Sequence, residues 1–152
     1  MTEFLCDTNV WLALAIEYHD HVEAARAWLD SVSLPSSILF CRSTQQSFVR
    51  LVSTNSVLAR YGLPPLSNEQ AWVTYDEFMR DSRISLRIEE PAGLEPFWRA
   101  FSRRRTPSPK LWMDAYLAAF ARAGSYQLVT TDRDFRQFDG LDVLLLGAES
   151  PA

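Results

Sequence analysis

Cysteine is scarce: Cys6 and Cys41 are the only two in 152 residues. Two thiols build neither a disulfide framework nor a zinc site of the CxxC…CxxC kind, so both read as buried, reduced core residues near strand ends. Histidine is as scarce. His19 and His21, two apart in a polar break, read as exposed rather than as a metal pair. Basic charge is not in excess, with 15 Lys and Arg against 19 Asp and Glu and a net charge of −4. That excludes a general polycation for nucleic acid; any phosphate contact must come from a local patch. No apolar run is long enough to span a bilayer, and Met1-Thr2-Glu3 lacks the basic start of a secretory leader. A cytoplasmic protein without a membrane segment is expected. No repeat, low-complexity tract or linker divides the chain, so residues 1–152 are expected to form one domain with a real core.

What is present is an alternation of short apolar runs with helical periodicity. The run at Phe4-Leu5-Cys6 reads as a buried strand and passes into a helical pattern with Val10, Trp11 and Leu14. Further strands are expected at 38–41, 84–88, 126–129 and 141–146, followed by a short polar tail. Between them lie helices. One spans 22–31, with Asp20 as N-cap. One follows Cys41, capped by Ser43 or Thr44, and a short one lies within 54–61. Ser67 opens another, with Gln70 three residues on as a capping box. A fifth runs from Leu94 to Arg103. The last, Leu111 to Ala123, has Ser108 as cap, Pro109 in its first turn and Gly124 as its end. That helix carries only Asp114 and Arg122 as charges and reads as buried. Trp11, Trp28, Trp72, Trp98 and Trp112 read mostly as core by spacing. An exposed one is suited to stack on a base or to receive a partner helix. Strands alternating with helices predict an α/β sandwich on a mainly parallel sheet.

In such a fold the residues just after each strand share one rim of the sheet. Asp7 follows the first strand, Arg42 to Gln46 follow the second, and Asp132 follows the fourth. Asp114 opens the helix that runs down to the fourth strand, which places it at the same rim. Asp7 is either a helix cap or a binding residue. Asp114 is either satisfied by first-turn N–H groups or needs a cation, since an unpaired buried carboxylate costs several kcal/mol. Three carboxylates at one rim repel each other unless a cation lies between them. An all-oxygen set suits Mg²⁺ or Mn²⁺, and such an ion takes further ligands from a substrate phosphate. The chemistry implied is phosphodiester hydrolysis by metal-activated water.

The motifs Asp7-Thr8-Asn9, Trp112-Met113-Asp114-Ala115 and Thr130-Thr131-Asp132-Arg133-Asp134-Phe135, in this order and spacing, resemble those of PIN-domain ribonucleases of the VapC toxin type. The resemblance covers nearly the whole chain. It implies a PIN-like three-layer α/β/α sandwich with a five-stranded sheet. It also implies Mg²⁺- or Mn²⁺-dependent endoribonuclease activity, a cognate antitoxin that occludes the site, and a homodimer. On that footing Asp7, Asp114 and Asp132 are the expected metal and catalytic residues. Asp134 is either a fourth carboxylate or a cap of the following turn. Thr8, Asn9, Thr44 and Thr131 are candidates to orient the carboxylates, Thr131 being equally a turn residue. One position departs from the family pattern: a Glu early in the helix after strand two is matched here by Gln45, which offers a carbonyl oxygen but no charge. Gln45 is expected to orient the water, and metal binding to be weaker than with Glu.

Arg103, Arg104, Arg105 and Lys110 form the densest basic stretch of an acidic chain and lead into the Asp114 helix. They are either a solvated charge run or RNA-phosphate contacts, and the second is the expectation. Rival readings are a haloacid-dehalogenase-like phosphatase, weakened by Asn9 where that family has a second Asp, and a structure-specific DNA nuclease. A catalytically weakened RNA- or partner-binding module is a third.

Overall fold

Strand β1 (Phe4–Cys6) occupies the centre of a five-stranded sheet, and every other strand arrives parallel to it. The computed structural model describes residues 1–147, so the polar tail at 148–152 lies outside the described residues. The sheet order is β3 (Ile84–Arg87), β2 (Ile38–Cys41), β1, β4 (Gln127–Thr130), β5 (Val143–Leu145). All four neighbouring pairs are parallel, as the strand–helix alternation predicts.

The layers follow from the crossovers. From β1 to β2 to β3 the chain steps in one direction across the sheet; from β3 to β4 it returns past β1 to the other side. With right-handed connections, a reversal of direction puts the connecting helices on opposite faces. Accordingly α1 (Thr8–Ala15), α2 (Val22–Ser31), α3 (Arg42–Val52), α4 (Asn55–Ala59) and α5 (Asn68–Met79) share one core, while α6 (Leu94–Ser102) and α7 (Leu111–Gly124) share the other. The strands serve both cores by alternation. Cys6, Ile38 and Phe40 face the first core, and Leu5, Leu39 and Cys41 the second. Cys6 and Cys41 are both buried free thiols, and burial pushes both above the ordinary thiol range.

Several helix ends differ from the sequence expectation. Asp20 does not cap α2; His21 is its N-cap, and the Asp20 carboxylate accepts from Arg60 instead. Helix α3 starts from Cys41, whose N–H donates to Thr44 Oγ1 at 3.0 Å. The Ser67–Gln70 capping box on α5 forms as expected. Ser108 offers α7 its carbonyl, not its hydroxyl, and Ser125 in the left-handed region closes that helix one residue beyond Gly124. Two tryptophans expected in the core are on the surface: Trp72 is 52% and Trp112 54% exposed, whereas Trp11 and Trp28 are buried. Both surface residues are covered on one side only, Trp112 by Trp98 and Trp72 by Tyr75, a partial cover that periodicity within the helix cannot distinguish from full burial.

Candidate active site

The reversal of strand order falls between β1 and β4, and the crevice at such a switch point is where parallel α/β sheets expose strand ends to ligands. Cys6 pairs with Val129 at the end of the ladder. One residue further, Asp7 and Thr130 therefore stand side by side.

Asp7 is the N-cap of α1 by position, but its carboxylate makes no cap bond to the helix. Thr130 Oγ1 donates to Asp7 Oδ2 at 2.9 Å, and the same hydroxyl oxygen accepts the N–H of Asp132 at 3.0 Å. Thr130 thus ties Asp7 to the Asp132 turn. Sequence alone points to its neighbour Thr131; only the in-register pairing of β1 with β4 singles out Thr130. Asp7 is 9% exposed. Burial, with repulsion from Asp114 and Asp132 added, pushes its carboxyl up to about 6 against the lowering effect of Thr130.

Asp114 lies in the first turn of α7 and is half-buried. The expectation of a wholly buried helix holds only for its middle, Ala115 and Leu117 to Ala121, since Trp112, Met113 and Arg122 are exposed. Burial first, then Asp132 and Asp134, raise the Asp114 carboxyl above its ordinary value. Asp132 accepts the N–H of Asp134 at 2.9 Å and so caps the 3-10 turn Arg133–Gln137. Asp134, for which a capping role was open, is exposed and raises Asp114. Asp7, Asp114, Asp132 and Asp134, from three segments far apart in sequence, therefore act on one another electrostatically. No Arg or Lys is among the groups that shift Asp7 or Asp114.

The remaining expected residues divide. Gln45 is buried, and its Oε1 accepts from Arg42 Nη1 at 2.6 Å. The carbonyl expected to face water thus already holds a guanidinium. Thr44 spends its hydroxyl on α3, donating to the Cys41 carbonyl at 3.1 Å. Among the described residues, no side-chain hydrogen bond joins Thr8, Asn9 or Thr131 to a carboxylate. Asn9 and Thr131 instead line a cleft of about 470 Å³ on the α1 side of the rim. His19 and His21, expected to be exposed, are half-buried in that same cleft.

On the α7 side, a cleft of about 430 Å³ brings Lys110 and Arg104 to Asp114 and Asp134. It shares Arg104, Ser108 and Pro109 with a larger cleft of about 700 Å³ lined by Arg99, Arg103, Trp98 and Trp112. Arg104 is held over this junction by Gln137, at 2.9 Å. Arg103, Arg104, Arg105 and Lys110 are all exposed.

Whether the acidic rim suits a divalent cation rests on its donor set. Among the described residues no three acidic, His or Cys side chains already stand closely enough to encircle an ion. The set is nevertheless all oxygen, mutually repulsive and without a cationic partner at Asp7 or Asp114. Those are the conditions that a hard divalent cation relieves.

A parallel α/β/α sandwich with acidic residues gathered at its switch point defines the class to which the comparisons also lead. The PIN domain profile matches residues 4–141. Ribonuclease VapC41 of Mycobacterium tuberculosis is 56% identical over 142 residues, spanning 93% of this chain and 97% of the relative. Ribonuclease VapC29 of the same organism is 31% identical, over 93% and 94% of the two chains. Among solved structures, VapBC2 from Rickettsia felis bound to a promoter DNA fragment superposes with a TM-score of 0.65 at 16% identity, covering 95% of this chain and 99% of that one. The chain belongs to the PIN-domain family, among its VapC-type members.

Proposed function

We propose that this protein is a metal-dependent endoribonuclease, the toxin of a toxin–antitoxin pair. The observation that supports the reading is the mutual repulsion of Asp7, Asp114 and Asp132 at the β1/β4 switch point, which they reach from both helical layers. The naming of its relatives as ribonucleases supports RNA as the substrate.

Asp7, Asp114 and Asp132 would hold a Mg²⁺ or Mn²⁺ ion, with Asp134 at the outer edge. When bound, such an ion polarises the phosphodiester and lowers the pKa of water, supplying a nucleophile at neutral pH. The chain's own groups do the rest. Thr130 fixes the Asp7 carboxylate by donating to its Oδ2. Lys110 and Arg104 line the approach to Asp114 and place cationic donors where substrate phosphates pass. Arg103 and Arg105 extend that basic edge. Gln45 keeps Arg42 at the neighbouring strand end and, through it, orients what enters from that side.

The remaining parts of the reading are a cognate antitoxin, a homodimer and a cytoplasmic location. VapBC complexes among the structures of like fold support the antitoxin. No helix among the described residues is long and apolar enough to cross a membrane. The deciding experiment is incubation of purified protein with RNA in the presence of Mn²⁺, Mg²⁺ or EDTA. Cleavage with either metal and none with EDTA is expected. Equal cleavage in EDTA, or none with any metal, overturns the reading.

A further inference from the structure

The carboxylate rim is flanked by two clefts, one in each helical layer. The basic cleft toward α7 contains Asp114 and Asp134 in its own wall. The other opens at Asn9 and Thr131, the residues two after Asp7 and one before Asp132, and runs between α1, the turn before α2, and α4. An endonuclease cuts inside a strand, so the chain it holds must continue on both sides of the bond that breaks. The basic edge accounts for one side only.

The second cleft is furnished differently. His19 stacks on Tyr61, with ring centres 5.3 Å apart and planes 25° from parallel. His19 Nδ1 accepts the N–H of His21 at 3.1 Å. This fixes the tautomer: the His19 proton is on Nε2, which is left as a donor. Arg60 pairs with Asp20, so the one guanidinium and the one carboxylate of the cleft cancel in charge. Asn9 and Thr131 add side chains that both donate and accept. At about 470 Å³ the space lies within the range that encloses a small organic ligand. A near-neutral cleft with mixed donors and acceptors and a stacked aromatic wall is poor for a bare phosphate. It suits the flat, hydrogen-bonding edge of a base with its sugar.

We infer that the cleft formed by Asn9, His19, His21, Arg60, Tyr61 and Thr131 binds the nucleoside of single-stranded RNA on the side of the scissile bond away from the basic edge. It is a specificity pocket for one base. This rests on the ribonuclease reading, and it assigns the chain its direction across the rim: basic edge, carboxylates, nucleoside pocket.

The test uses the fact that His19 and His21 are the only histidines of the chain. Their imidazole NMR signals report this cleft, His19 through its stack on Tyr61 and His21 at the edge beside Gly147. Uncleaved short single-stranded RNA is added in EDTA, with binding followed in parallel by fluorescence anisotropy. Both imidazole signals are expected to move in step with the bound fraction. His19→Ala is expected to weaken RNA binding about tenfold and to flatten base preference at one position beside the cut. RNA that binds while the imidazole signals stay still overturns the inference and leaves the ribonuclease reading intact. Imidazole signals that respond to an antitoxin polypeptide but not to RNA also overturn it. Protein that neither binds nor cleaves RNA overturns the ribonuclease reading itself.

Discussion

On the face covered by α1 to α5, Trp11 lies stacked on Phe40, ring centres 3.8 Å apart, and Tyr75, Phe48 and Phe78 close around the pair edge-on. On the face covered by α6 and α7, Trp98 and Trp112 also meet edge-on, but 6.2 Å apart, at the mouth of an open basic cleft. The same residue type stabilises one layer and furnishes the surface of the other. The difference teaches that aromatic content by itself does not locate the core. What decides is whether a second layer lies over the ring. The carboxylates sit at the seam, Asp7 arriving with the first layer and Asp114 with the second.

The widest contrast is a pair of truncations. Phe40→Ala removes the centre of the aromatic stack and should cost about 3–5 kcal/mol. Trp112→Ala should cost about 1–2 kcal/mol, since half of the residue is in solvent and the rest packs edge-on against Trp98. Urea unfolding of the two variants measures this, and equal losses would erase the distinction between the layers.

Next in size is Asp7→Asn. The folded-state pKa of Asp7 is raised, to about 6 from the ordinary 3.8. The folded protein therefore holds the Asp7 proton more tightly than the unfolded chain. Its stability falls as pH rises between those two values, and the full cost, about 3 kcal/mol, is present above the higher one. Asp7→Asn should therefore be more stable than the parent at neutral pH, by up to that amount, and close to it at pH below the ordinary carboxylate value. Mn²⁺ should stabilise the parent and do little for the variant, whose RNA cleavage should be lost. Thermal unfolding across pH, with and without the metal, reads all of this.

Neutralising Arg103, Arg104 and Arg105 probes the open layer without touching the packed one. RNA affinity should fall, and the slope of log affinity against log salt should flatten by about 0.7 for each phosphate contact removed. An unchanged slope would make the stretch a solvated charge run. The smallest effect is expected from Gln45→Glu. A new carboxylate should tighten Mn²⁺ binding, but Arg42 already donates to this position and would neutralise most of the added charge. A gain of only a few-fold is expected by calorimetry. Arg42→Ala in the same background should enlarge it.

The β-α alternation was readable because buried strands and amphipathic helices carry different periods. The acidic rim was readable because in a parallel sheet every residue that follows a strand lies at one edge. The roles of Thr130 and Thr44 were not, because a hydroxyl within reach of several partners is assigned by register and cap geometry. His19 and His21 were misplaced on the outside for a related reason. His19 is covered by Tyr61, just after α4, and His21 lies beside Gly147, after the last strand; both neighbours are remote in sequence.

The sequence by itself determined the order of elements and which carboxylates share the sheet's edge, since both follow from local periodicity and the single handedness of the crossovers. The tertiary structure alone decided that Asp7, rather than Asp114, is the most deeply buried of them. It also decided which tryptophans meet solvent and that a second, near-neutral cleft adjoins the rim. Each of these depends on how closely one layer covers another, and covering is set by contacts between residues remote in the chain.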